Sequence, residues 1–166
     1  MNTSIIQGES LLKEIPSGIT PGVPYTPPEL FIALYADYAK THETALIPFS
    51  SMFVPATLNE RCEHVIFLNS ATMRALVAEV IEFGSDYNPQ TWNTESPYQI
   101  PDGFPAAPTG CWVAVEQVRE TVIDIEAYNK IRYRRVGKEL VEVTPLSREF
   151  MSAHSSHTEM IIAPRA

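Results

Sequence analysis

Residues 63–84, EHVIFLNSATMRALVAEVIEFG, decide the fold. His64, Val65, Ile66, Phe67 and Leu68 form a short run rich in β-formers, so 63–68 reads as a strand. Asn69 or Ser70 then offers a side-chain oxygen to the first turn of a helix. Met73, Leu76, Val77, Val80 and Ile81 recur three and four apart, and Gly84 supplies a stop. This spacing predicts a helix over 70–83, packed on the strand at the centre of the core.

Upstream, Thr26 is a candidate N-cap, Pro27 and Pro28 suit a first helical turn, and Glu29 complements the positive end of the helix dipole. Leu30, Phe31, Leu34, Tyr35 and Tyr38 keep helical spacing, which predicts an amphipathic helix over 28–42. Residues 45–54 are apolar but broken by Pro48 and followed by Pro55, the pattern of an irregular or edge strand. Downstream, 111–128 fits two templates. Val113, Val115, Thr121, Ile123 and Ile125 alternate as in strands, whereas Val115, Val118, Val122 and Ile125 fit a helical seam; β-branching favours strands. A hairpin over 130–144 with Gly137 in its connection, a short helix over 148–151 and a last strand over 160–163 complete the order. The expected class is α+β: one domain in which two amphipathic helices pack on a mainly antiparallel sheet.

Ten of the fourteen prolines fall within 16–28 and 89–108. Residues 1–27 therefore read as an extended N-terminal arm, with an apolar patch at Ile5 and Ile6 and a helical turn over 10–15. Residues 28–166 read as the domain, carrying a long proline-rich insertion at 85–110. Both segments also hold large apolar side chains, and such segments lie against something. Tyr25, Trp92, Tyr98 and Phe104 are the candidate anchors for a protein interface.

The 166 residues suit one domain, and 45% hydrophobic with 19% charged residues is a folding composition. A net charge of -8 disfavours nucleic acid and anionic membrane as partners, since phosphate binding rests on Lys and Arg. No apolar run approaches the roughly 20 residues of a membrane span. The N-terminus lacks the pattern of a secretory signal, so the expected location is cytoplasmic, or the virion if the chain is viral. Cys62 and Cys111 are too far apart for CxxC chemistry and read as buried reduced thiols.

No pattern here carries a reaction. His154 and His157 are three apart but make only two ligands, short of a metal site. Cys62 and His64 share one face if both lie on a strand, yet no oxyanion-forming glycine turn accompanies them. The acidic residues Glu79, Glu82, Glu116, Glu120, Asp124 and Glu126 are spaced as a solvated face. No GxSxG, P-loop or GxGxxG pattern occurs. We assign no catalytic, cofactor-binding or metal residue and no cofactor. Lys130, Arg132 and Arg134 form the one concentrated basic feature, on one face of a strand. They suit an acidic partner surface, or else pair across the sheet with Glu139 or Glu142.

The functional expectation is a noncatalytic structural or assembly subunit that forms homo-oligomers, and contacts other proteins, through its extended arms. Components of viral particles use the same device, an analogy of architecture alone. One alternative is a small oligomeric enzyme or ligand-binding protein of hotdog-like fold, with the second helix at its centre. Another is an interaction module that inhibits or regulates a different protein.

Overall fold

A computed structural model describes residues 5–16, 25–133, 139–152 and 159–165. The elements run β1 (Ser10–Glu14), α1 (Pro28–Tyr38), β2 (Thr44–Phe49), α2 (Pro55–Arg61), β3 (His64–Asn69), β4 (Arg74–Tyr87), β5 (Thr109–Val122), β6 (Tyr128–Tyr133), β7 (Leu140–Pro145), α3 (Arg148–Ser152) and β8 (Glu159–Pro164). The strands make one sheet in the order β2-β5-β4-β3-β1-β8-β6-β7. Its pairs are antiparallel except β1 with β3. The α+β class holds, and no helix among the described residues is long and apolar enough to cross a membrane.

The predicted second helix is a strand. Residues 74–87 are β4, and Ala75, Leu76, Val77 and Ala78 are all buried because both faces of the sheet are covered there. Leu76 and Ala78 enter a first core with α1 and α2. Ala75 and Val77 enter a second with Ile123, Ile125, Tyr128, Leu146 and Met151. A strand buried on both faces loses the polar half of its alternation. The pairing of Val80 with Val115 and of Glu82 with Ala114 then places one extra residue on β4. As a result Leu76, Val80 and Phe83 all meet the first core at spacings of four and three, which imitates a helix. The hotdog-like arrangement, which needed that helix at its centre, does not apply.

The open choice over 111–128 resolves as strand: β5 runs to Val122, and a 3-10 turn over Ile125–Ala127 leads into β6. A second bulge lies on β5, where Gln117 takes a φ of 52°. The predicted helical turn over 10–15 is instead β1, hydrogen-bonded between β3 and β8 in the middle of the sheet. The N-terminal segment is thus partly core. Leu11 and Leu12 point into opposite cores, and the Ile6 N–H donates to the Tyr128 hydroxyl at 2.8 Å. The proline-dense residues 17–24 lie outside the described residues.

Helix α1 carries a proline in its first turn and buries Phe31, Ile32 and Tyr35, but it is capped by Pro27 without a side-chain hydrogen bond, so Thr26 is not its N-cap, and it ends at Tyr38, short of the expected 42. Strand β2 is an edge, as Pro48 predicted. The insertion after β4 covers that edge. Leu46 N–H donates to Gln99 O at 2.9 Å, and Thr44 Oγ1 donates to Pro97 O at 2.7 Å. An exposed ladder of N–H and C=O groups is a template for unwanted pairing, and here the chain closes it with its own backbone.

Candidate functional site

Three features of the surface have the chemistry to contact another molecule. The first is the far end of the sheet. Strand β7 is its second edge, and Leu140 and Val143 are exposed on it. Leu146 N–H donates to Tyr128 O at 3.1 Å, which sets the phase of the β6–β7 ladder. Backbone groups alternate in direction along an antiparallel strand. Val143 and Pro145 therefore turn theirs away from β6, towards the open side, and Pro145 has no N–H to leave there.

The second feature is a pinned loop between β2 and α2. Met52 is 78% exposed and Val54 61%, while Phe53 between them packs against the first core. The loop is tied down by Glu159 of β8, whose side chain is only 2% exposed. Ser51 Oγ and the Met52 N–H both donate to Glu159 Oε1 at 2.9 Å. Lys13 Nζ, on a side chain 16% exposed, pairs with Oε2 at 3.3 Å. A carboxylate this buried persists because its lone pairs are filled by a cation and two donors.

The third is a cleft of about 450 Å³ where the end of α2 meets β6 and β8, lined in part by Gly8, Glu9, Arg61, Glu63, Ile131 and Ala163. The Tyr133 hydroxyl donates to Glu9 Oε2 at 2.9 Å, and the Arg61 guanidinium sits 4.5 Å from the centre of the Tyr133 ring. Burial, then hydrogen bonding to Glu9, raises the Tyr133 phenol above its ordinary range. Gly8 has a φ of +77°, and a Cβ there would run into the Glu63 carboxylate. Glu9 and Arg61 thus both bear on the Tyr133 side chain.

The candidate anchors of the insertion lie on the chain's own fold. Trp92 is half-buried, 5.3 Å from Trp112 and 5.6 Å from Tyr87 between ring centres, and its indole N–H donates to Tyr98 O at 2.8 Å. Phe104 packs edge-on against Phe31 and Tyr35 on the other face. The insertion thus wraps the β2 edge from one face to the other. Tyr98 and Tyr25 are half-buried. Trp112 stacks over Gly84, its cross-strand neighbour, where any Cβ would meet the indole.

Lys130 and Arg132 share the second face, Lys130 beside Ile162. Arg132 faces Glu142 across the hairpin, Nη1 to Oε2 at 4.0 Å, and both are exposed. Arg134 lies outside the described residues, as do His154 and His157. Among the described residues no three His, Cys, Asp or Glu side chains gather as a metal site.

Cys62 and His64 are not brought together as a nucleophile and base. Cys62 caps α2 and enters the first core, whereas His64 shares its side of β3 with Ile66 of the second. Burial pushes the Cys62 thiol up to about 12 and the Cys111 thiol to about 11, so neither is a thiolate near neutral pH.

Sequence reasoning missed the Glu159 network and the Met52 loop. The only signal for them was a run without charge, 50–56, directly after an edge strand. No protein-family model, curated protein or solved structure matches the chain.

Proposed function

We propose that this chain is a noncatalytic assembly subunit that self-associates by pairing the β7 edge of one copy with the β7 edge of another. The observation that carries this is the opposite treatment of the two sheet edges. The chain spends a long insertion on β2, while β7 presents Leu140 and Val143 to solvent. Monomeric proteins guard such edges, and strand addition is a common mode of association.

A two-fold antiparallel pairing centred on Val143 uses its outward N–H and C=O twice. It sets Glu142 opposite Thr144 of the second copy, avoiding a like-charge pair. On the second face it generates the row Arg132, Glu142, Thr144, Lys130 across four strands, from the β6–β7 pairs already present. Each Glu142 then keeps its own Arg132 on one side and meets a neutral Thr144 on the other. The twofold arrangement is self-complementary, as an isologous interface must be.

Val143→Pro tests the proposal. It removes the outward N–H without touching the groups that face β6, and edge strands tolerate proline for that reason. Losing the two central hydrogen bonds, at about 0.5–1.5 kcal/mol each, predicts a Kd raised roughly five-fold to 150-fold in sedimentation across a concentration series. Val143→Lys should act the same way by placing two ammonium groups together. A wild-type chain that stays monomeric at high concentration, or variants that sediment like it, would refute the pairing.

A further inference from the structure

We infer that Met52 is a selective, reversible oxidation site, at which a peroxide converts the thioether to a sulfoxide and turns the tip of the β2–α2 loop from apolar to polar. The inference needs no contact between copies and stands apart from the β7 pairing. Oxidation of methionine follows the access of the oxidant to sulfur. Met52 is 78% exposed, whereas Met73, Met151 and Met160 are 6%, 3% and 2% exposed in the second core. Met1 lies outside the described residues. Thiols are the usual competitors for a peroxide, but Cys62 and Cys111 are buried and held neutral. Met52 is therefore the sulfur that an oxidant in solution meets first among the described residues.

The loop is tied down through atoms that oxidation does not touch. Ser51 Oγ and the Met52 N–H donate to Glu159 Oε1, the Phe53 N–H donates to Ser51 Oγ at 3.0 Å, and the Phe53 side chain packs against the first core. None of these ties uses the Met52 thioether. An oxygen added there points into water, where it is solvated. The same oxygen on Met73, Met151 or Met160 would put a polar group among apolar neighbours, at a cost in stability. The fold thus tolerates the modification at one position and shields the other three.

In the forward step a lone pair of the Met52 sulfur attacks one peroxide oxygen. The O–O bond breaks, an S–O bond forms, and the departing hydroxide takes up the proton of the transferred oxygen and leaves as water. Sulfur loses two electrons and the peroxide gains them. The reverse step belongs to methionine sulfoxide reductases, which are thiol-dependent: two thiols become a disulfide, and the sulfoxide oxygen leaves as water. The surface changes with the first step, since Met52 and Val54 are the most exposed large apolar side chains among the described residues.

The test treats the full chain with hydrogen peroxide and follows each methionine by peptide mapping and mass spectrometry. Met52 should oxidise roughly tenfold faster than Met73, Met151 and Met160, or more, in keeping with the ratio of their exposures. In urea, where burial is lost, the four should react at similar rates. The chain oxidised at Met52 should keep the parent Tm and leave a hydrophobic-interaction column earlier. A methionine sulfoxide reductase supplied with dithiothreitol should restore the parent elution, and Met52→Leu should remove the early-eluting product. Equal rates in the folded chain overturn the inference, as does a Met52 preference that persists in urea, because the fold would then not be the source of selectivity. A fall in Tm on oxidation of Met52 alone also overturns it, by showing that the thioether holds the loop. Unchanged elution, or a product that the reductase leaves oxidised, removes the polarity switch or its reversibility.

Discussion

Removing the Glu159 carboxylate should cost more stability than any surface change. Glu159→Ala leaves Lys13 as a mostly buried cation without its partner, and deprives the Ser51 hydroxyl and Met52 N–H of their acceptor. Breaking a buried ion pair from one side costs about 3–5 kcal/mol, a large part of the roughly 5–15 kcal/mol that holds a domain together. For a chain of this length about 1 kcal/mol moves Tm by roughly 2–4 °C, so the expected loss is about 6–20 °C by calorimetry. Glu159→Gln keeps an acceptor for the loop donors but not the charge, and should fall between Ala and the parent. The decisive comparison is Lys13→Met with Glu159→Met, which removes both charges and fills the space. That double variant should melt above Glu159→Ala and near the parent, since a buried pair replaced by packed apolar groups is often neutral. A double variant as unstable as Glu159→Ala would show that the loss comes from the loop and not from an orphaned cation. A Glu159→Ala protein melting within 2 °C of the parent would refute the whole network.

Val77→Asp places a carboxylate in the second core, where Val77 is fully buried in β4, and should cost several kcal/mol, read as a fall in urea midpoint; a variant melting with the parent would overturn the register of β4. Gly84→Ala forces the Trp112 indole to move and should cost about 1–3 kcal/mol by overpacking, with a change in tryptophan fluorescence that Gly110→Ala, in open space, does not produce. The two thiols predict a pH dependence. Their folded values, about 12 and about 11, lie above the ordinary value of 9, so the folded state favours the neutral thiol; their contribution is intact below about pH 9 and is lost as pH rises from there towards 12. Cys62→Ala with Cys111→Ala should flatten that loss in alkaline melting curves, and iodoacetamide at pH 8 should label the native parent only as fast as it unfolds.

Several elements were readable in the sequence because one local rule sufficed for each. Prolines at 27 and 28 and the spacing of Phe31 and Tyr35 gave away α1, since that helix keeps one wet side. Pro48 marked β2 as an edge because a missing N–H is tolerated only on the side without a neighbour. The hairpin of β6 with β7, the short α3 and the last strand also fell where alternation and turn residues put them. The abundance of aromatic anchors told that 85–110 must pack, but not on what; Trp92 and Phe104 found the chain's own Trp112, Phe31 and Tyr35.

Tertiary structure decided the rest, for a physical reason. Periodicity reports which side of an element is dry, and it falls silent when both sides are. Strand β4, buried on two faces and shifted by a bulge, carried a helical spacing into the middle of a sheet, and β1 became central only because β3 and β8 closed around Leu11 and Leu12. The Glu159 network joins Lys13, Ser51 and Met52 to a residue more than a hundred positions away. The charge, the length and the edge proline belong to the chain as a string; a buried carboxylate that holds an exposed loop exists only once distant segments share a core, because only there does desolvation make their pairing obligatory.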